Sequence, residues 1–319
     1  MEKSYLGVRL DALKRSQNSD GGWGYFRDKQ SWLEPTAYAA LALHGDAAAD
    51  RAWALISRWQ GQDGGWRPSS DVAIANWGTA LCVTIATARG EFGEPFQKGV
   101  KWLLGSAGVE TRLLNRMAAK VGLFKLERDL NLKGWPWKPG TSSWVEPTAH
   151  TLVALKRASL KFASKELGER VRLGEAQLAG VRSKDGGWNY GSRAALGIDL
   201  PSYPETTALA LVGLQGRGEI ASYLSEAAKL ARETKSPLAK AWLAIALRVN
   251  GAEPPVSNGD VTPDVLITAL EALGAAEGNH AFLSTIAAHN AASARLNGAE
   301  VISEDSRAGR CALRTERSS

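Results

Sequence analysis

The chain has 319 residues, 44% of them apolar and 23% charged, with a formal net charge of +6. That length can bury one large core or two smaller ones, and the mild basic excess forms no dense Lys/Arg stripe of the kind that follows phosphates, so nucleic-acid binding is not expected. Two cysteines, Cys82 and Cys311, exclude a disulfide framework; with no apolar run near the ~20 residues of a membrane span and no apolar segment after Met1–Tyr5, a cytoplasmic protein is expected.

In chain order, the first expected element is an amphipathic helix over 2–15. Asp20-Gly21-Gly22-Trp23 follows. Ser31-Trp32-Leu33-Glu34-Pro35-Thr36-Ala37 then leads into a helix over 35–45, with Pro at its start and Gly at its end. An amphipathic helix over 49–60 comes next, then Asp63-Gly64-Gly65-Trp66 and an apolar helix over roughly 78–88, with Trp77 where the first repeat has Glu34. Residues 105–133 interrupt the pattern. They include a basic amphipathic stretch at 112–126, which reads as an extra outer helix or as a lid or membrane-touching helix. Lys133-Gly134-Trp135 is a degenerate loop copy, and Ser143-Trp144-Val145-Glu146-Pro147-Thr148-Ala149 opens a helix over 147–157. An amphipathic helix over 163–180 precedes Asp185-Gly186-Gly187-Trp188, and Ser202-Tyr203-Pro204-Glu205-Thr206-Thr207-Ala208 opens a helix over 205–215. Helices over 219–233, 237–248 and 263–274 complete the pattern. The polar stretch from about 293 lacks periodicity and reads as a mobile tail.

Repetition at a few tens of residues marks an array of supersecondary units. Six of the helices are apolar on nearly every face and must be buried, while the helices at 2–15, 49–60, 163–180 and 219–233 carry charge on one face. Inner and outer helices alternating through Gly-rich turns make an all-α closed ring of about six helical hairpins, expected over 1–292. In the loops, Gly-Gly permits unusual backbone angles, Asp accepts from nearby amides, and Trp covers a helix end. They read as clamps between hairpins, with a direct ligand role as the alternative.

The Gln-x-x-Asp-Gly-Gly-Trp phrases at 17–23 and 60–66 resemble the QW motif of squalene and oxidosqualene cyclases. The Gly-Gly loops and small-residue inner helices also resemble the beta subunits of protein prenyltransferases. The resemblance covers roughly residues 1–290 and implies an α/α toroid, a double ring of helices around a central cavity that takes an isoprenoid or another apolar small molecule. The reactions do not carry over with it. There is no Asp-x-Asp-Asp acid motif and no adjacent Asp pair. The positions matching the prenyltransferase zinc ligands fall at or beside Pro35, Pro147 and Thr206, and no Gly-Cys-Gly-Glu-Gln phrase occurs. No metal and no cofactor are expected.

The repeated Glu34, Glu146 and Glu205 are the candidate acids. In an apolar cavity their pKa would rise and they could donate protons. The alternative is that each caps its helix, where the dipole favours an anion. Trp32, Trp144, Tyr203 and Trp77 are candidate ligand-binding aromatics, facing a cation, stacking on a sugar or closing a repeat interface. Tyr38 and His150, one turn into their helices, are candidates for the cavity wall. His44, His280 and His289 show no metal-ligand spacing. Three functions stay open. The first is a terpenoid-cyclase-like or prenyltransferase-like protein binding an isoprenoid, and the second a non-catalytic binding or scaffold ring. The third is a carbohydrate-active enzyme, which an open, polar, carboxylate-lined cavity would favour. Weak contact of 112–126 with a membrane surface is compatible with the first.

Overall fold

The computed structural model describes residues 4–120, 129–277 and 280–284, and the chain there is mostly helical. In order the helices are α1 (Tyr5–Arg15), α2 (Leu33–Ala42), α3 (Ala47–Ser57), α4 (Gly78–Arg89), α5 (Glu94–Gly105), α6 (Leu113–Lys120), α7 (Val145–Ser159), α8 (Lys165–Gly180), α9 (Pro204–Gly213), α10 (Leu224–Glu233), α11 (Pro237–Val249) and α12 (Val265–Ala275). Two short antiparallel ribbons lie between them. β1 (Trp135–Pro136) pairs with β2 (Ser143–Trp144), and β3 (Ala194–Ala195) pairs with β4 (Ile198–Asp199).

The small-residue helices pack in a cycle. α2 touches α4, α4 touches α7, and the contacts run on through α9, α11 and α12 back to α2. Ala, Thr, Leu and Gly dominate because backbones this close leave no room for longer side chains. On α9, Gly213 stands so near α7 that an added Cβ would lie 2.8 Å from the Cα of Ala149. α7 buries every residue except Glu146 and Ser159, and α2 every residue except Glu34 and Ala42. The amphipathic helices lie outside, α1 on α12, α3 on α2, α5 on α4, α8 on α7 and α10 on α11.

Alternation breaks once. α11 passes to α12 through 250–264 without an outer helix, and Pro254, Pro255 and Pro263 with Gly251 and Gly259 account for that. α5 has no counterpart among the expected helices, although Phe96, Gly99 and Leu103 give it a buried stripe and Glu94-Pro95 a start signal. α6 packs against the 3₁₀ turn Val109–Thr111 and leaves Leu113, Leu114 and Met117 exposed. It therefore differs from the outer helices, each of which buries its apolar face on an inner one. Residues 121–126 of that stretch, and the tail from 293, lie outside the described residues.

The repeated phrases act as clasps. In each loop the Trp N–H donates to a Thr hydroxyl of the following inner helix: Trp23 to Thr36, Trp66 to Thr79, Trp135 to Thr148 and Trp188 to Thr207, at 2.8–3.0 Å. The indole N–H of Trp23, Trp135 and Trp188 donates to Leu13, Leu103 and Leu178 carbonyls, satisfying outer-helix ends. Two residues past each Trp, a carbonyl accepts from the start of the preceding inner helix: Leu33 N–H to Pro68, Trp77 N–H to Trp137, Val145 N–H to Tyr190, and Val265 N–H to Tyr25. The last of these closes the ring between its first and last parts. Gly21 has φ +93°, and a Cβ there would meet the Arg51 carbonyl oxygen at 2.9 Å, so no other residue fits. Gln17 and Gln60 tie their loops to the next outer helix by donating to the Ala48 and Pro95 carbonyls.

The degenerate third loop has Leu132 where the others have Asp. Glu110, from the turn before α6, supplies the missing carboxylate. It accepts from Ser143 N–H at 3.1 Å and from Ser143 Oγ at 2.5 Å, much as Asp20 accepts from Ser31 Oγ. Arg170 of α8 replaces the missing Gln. Its guanidinium lies 3.3 Å from the centre of a Trp135 ring and donates to the Gly134 and Ser106 carbonyls.

Candidate functional site at the mouth of the ring

Every loop leading from an outer to an inner helix lies at the end of the ring where the inner helices begin. This places Glu34, Glu146 and Glu205 at the second position of α2, α7 and α9, all three partly buried. Each carboxylate takes the near-cap place of the capping reading rather than the cap itself. The cap positions belong to Trp32, Trp144 and Tyr203, and to Trp77 on α4, and none makes a side-chain cap bond. The three carboxylates sit inside the first turn, where the helix dipole favours an anion by ~0.3–1 kcal/mol.

The three carboxylates differ in their partners. Tyr25 donates its hydroxyl to Glu34 at 2.5 Å, and Tyr190 donates to Glu205 at 2.7 Å. Both tyrosines stand two residues past the loop Trp. In the repeat that carries Glu146 this place is taken by Trp137, which has no hydroxyl and packs edge-on against Trp77 with centroids 5.2 Å apart. Glu146 consequently makes no side-chain hydrogen bond among the described residues.

Burial raises Glu146 to about 8, and the nearby charges of Glu34 and Glu205 push the same way. Burial also raises Glu34; the Tyr25 bond opposes that shift and the charge of Asp264 adds to it. The phenol of Tyr190 is raised to about 12, chiefly by its bond to Glu205. Near neutral pH, then, one carboxyl keeps its proton beside two that are hydrogen-bonded as acceptors.

Below the carboxylates the ring centre is filled with aromatic side chains. Tyr38 Oη and His150 Nε2 share a buried hydrogen bond of 2.9 Å. His150 also packs against Trp77, Trp242 and Phe282 at centroid distances of 5.2, 5.4 and 5.8 Å. Burial lowers His150 to about 3, so it is neutral at any ordinary pH. Phe282 reaches the centre from the opposite end, where the segment 280–284 is pinned by Arg157 donating to the Leu283 carbonyl and Gln215 donating to the Phe282 carbonyl. Tyr38, His150 and Trp77 therefore pack on one another, Trp32 is half-buried, and Trp144 and Tyr203 stand more than a third exposed at the mouth. Among the described residues no cluster of three His, Cys, Asp or Glu side chains could hold a metal ion.

Sequence reasoning passed over Tyr25, Tyr190, Trp137, Trp242 and Phe282. The signal for the first three was present in the position two past each repeated Trp. Glu110 and Phe282 carried no signal: Glu110 acts thirty-three residues along the connection between α5 and α7, and Phe282 acts on helices far from it in the chain.

No family model and no curated protein sequence matches the chain. Solved structures do. A protein from Actinoplanes is 21% identical, with a TM-score of 0.51 over 83% of this chain and 78% of that one. A GH8 endo-β-1,4-glucanase from an Achatina fulica gut metagenomic library is 14% identical, with a TM-score of 0.55 over 86% of this chain and 99% of that one. Type II terpene cyclase MstE from Scytonema is 16% identical, with a TM-score of 0.48 over 76% of this chain and 70% of that one, too low to carry an argument. At these identities the likeness concerns the fold alone and leaves the reaction open.

Proposed function

We propose that the mouth of the ring is an acid–base site for a carbohydrate, with Glu146 as proton donor and Glu205 as its carboxylate partner. The observation that carries this reading is the contrast between the two. Glu146 has no hydrogen-bond partner and is raised to about 8, while Glu205 accepts a hydrogen bond from Tyr190. Glycoside cleavage requires two carboxyl groups in different roles, one to protonate the leaving oxygen and one to act on the sugar or on water, and the unequal hydrogen-bonding of Glu146 and Glu205 supports that division. The mouth carries three carboxylates and is rimmed by part-exposed aromatics, which supports a carbohydrate as the ligand. Glu34, held by Tyr25, is the alternative partner on the other side of Glu146.

One observation favours a second reading. The aromatic cluster of Tyr38, Trp77, His150, Trp242 and Phe282 lies beneath Glu146, and aromatic faces stabilise cations. An isoprenoid cyclised by a proton from Glu146 would use that floor, in keeping with the resemblance of the loop phrases to the cyclase motif.

The experiment is to incubate the wild-type protein and Glu146→Gln with soluble glucans, xylans and mannans from pH 5 to 9, following reducing ends. A parallel set receives squalene and geranylgeranyl substrates and is read by mass spectrometry. Reducing ends lost both in the variant and above about pH 8 are the expected outcome. Cyclised isoprenoid without sugar cleavage moves the assignment to the second reading. No product in either set overturns both and leaves a non-catalytic ring.

A further inference from the structure

We infer that Trp144, Tyr190 and Tyr203 form a stacking platform for a neutral pyranose ring beside Glu205. This rests on the carbohydrate reading of the mouth. The loop tryptophans Trp23, Trp66, Trp135 and Trp188 are 0–2% exposed, whereas Trp144, Tyr190 and Tyr203 are 38%, 39% and 39% exposed. The clasps thus bury one aromatic of each repeat and hold others in the open at the mouth.

The platform is rigid before any ligand arrives. The Tyr190 carbonyl accepts the Val145 N–H at 2.7 Å, which ties the residue next to Trp144 to the tyrosine. Gly191 lies against the Trp144 indole, where a Cβ would stand 3.3 Å from the ring. The Tyr190 and Tyr203 rings lie 5.1 Å apart at 39°, and the Tyr203 N–H donates to the Trp188 carbonyl at 2.9 Å. Aromatic surface fixed by backbone bonds loses little entropy on binding.

The chemistry at its edge selects the occupant. Glu205 and the Tyr190 hydroxyl are joined at 2.7 Å, and Glu146 is partly exposed nearby. A pyranose presents C–H groups on its faces and hydroxyls around its rim, so it can cover the rings and donate to the carboxylates together. A hydrocarbon chain would cover the rings and offer no donor to Glu146 or to the remaining lone pairs of Glu205, a desolvation cost that the sugar avoids. A uronic acid would bring a further acidic group to a mouth already crowded with acidic side chains, where an added charge is a barrier to the wrong ligand.

The test uses Glu146→Gln protein, so that binding is read without turnover. Isothermal titration is carried out with cello-, xylo-, manno- and maltohexaose, and with hexagalacturonate as the acidic comparison. At least one neutral hexasaccharide is expected to bind and hexagalacturonate is not. Adding Trp144→Ala or Tyr203→Ala is expected to weaken binding tenfold or more, with the melting temperature of each double variant confirming the fold. If Trp144→Ala fails to fold, Tyr203→Ala decides alone. Neutral sugars that do not bind, that bind unchanged in both variants, or that bind no better than hexagalacturonate overturn the platform. Binding that follows the platform without any release of reducing ends by the wild-type protein refutes the catalytic role of Glu146 and leaves the platform standing. Release of reducing ends with no loss of binding in the platform variants does the reverse.

Discussion

Glu146→Gln isolates one proton in the stability of the ring. The Glu146 carboxyl is raised from 4.5 to about 8 in the folded chain, and the unfolded chain keeps the lower value. Below pH 4.5 the group is protonated in both states and contributes no pH dependence. Between 4.5 and 8 the unfolded chain ionises while the folded one holds its proton, so stability falls as pH rises and levels off above 8. The shift corresponds to a ceiling of about 5 kcal/mol, and the partial exposure of the side chain lowers this to roughly 2–4 kcal/mol. Glutamine keeps the shape and cannot ionise. Urea or thermal melts of both proteins at pH 4, 6, 7.5 and 9 should give equal stability at pH 4 and a more stable variant at pH 9. The gap in melting temperature is expected to be about 5 °C for a chain of this size. His150 and His280 titrate alike in both proteins and cancel in the difference. A gap independent of pH, or one that opens in favour of the wild type as pH rises, refutes the burial of an uncompensated carboxyl at this position.

Trp137→Tyr offers Glu146 the donor that Glu34 and Glu205 already have. The pH limb assigned to Glu146 should move to lower pH, measured by the same melts or by the pH profile of turnover, with Trp137→Phe as the control that leaves it in place. His150 and His280 are lowered to about 3 and about 4 by burial. Neutral in the fold and charged when unfolded, they hold stability that is present above pH 6.5 and lost as pH falls, by up to ~3–5 kcal/mol each once both folded values are passed. Melts of Glu146→Gln from pH 7 to pH 4, where the opposing Glu146 limb is absent, should show this acid limb, and its absence would contradict the neutral Tyr38–His150 pair. Glu110→Ala removes the acceptor of Ser143 N–H and Oγ and should cost ~2–4 kcal/mol, measured by urea unfolding. A loss below 0.5 kcal/mol would show that Glu110 does not stand in for the missing loop Asp.

Much of the ring was legible because one physical device is repeated in nearly the same words. Asp20, Asp63 and Asp185 each accept the N–H of the second following residue, and the Gly between them takes a positive φ. A reader of the phrase reads the clasp. The small-residue helices were legible for the same reason, since helices packed into a tight ring all meet the same steric limit. What escaped the sequence is how these side chains pair. Tyr25 and Tyr190 share a place two past the loop Trp, but they precede Glu34 by nine and Glu205 by fifteen residues, so the offset within each pair varies. Glu110 stands thirty-three residues before Ser143 at the other end of the connection between α5 and α7, and Phe282 lies far along the chain from Tyr38 and His150, which it meets only in the folded ring.

The three repeated glutamates share one motif, and on the proposed reading their difference is what divides the roles between them. Repetition places a carboxylate at the second position of three inner helices that converge on one mouth, and three like charges there repel. Two are relieved by tyrosine hydroxyls from their own loops. The third, on α7 between the other two, faces a loop whose tyrosine has become Trp137, packed on Trp77 instead. Its relief is to stay protonated. The substitution that breaks the repeat therefore leaves Glu146 poised to give up a proton near neutral pH, and the same hairpin departs from the pattern again at Leu132, Glu110 and Arg170. A purely structural ring has no use for such departures when the neighbouring loops show the standard solution. Their concentration around Glu146 argues that this hairpin was shaped for the mouth, with Glu110 and Arg170 holding the altered loop in place.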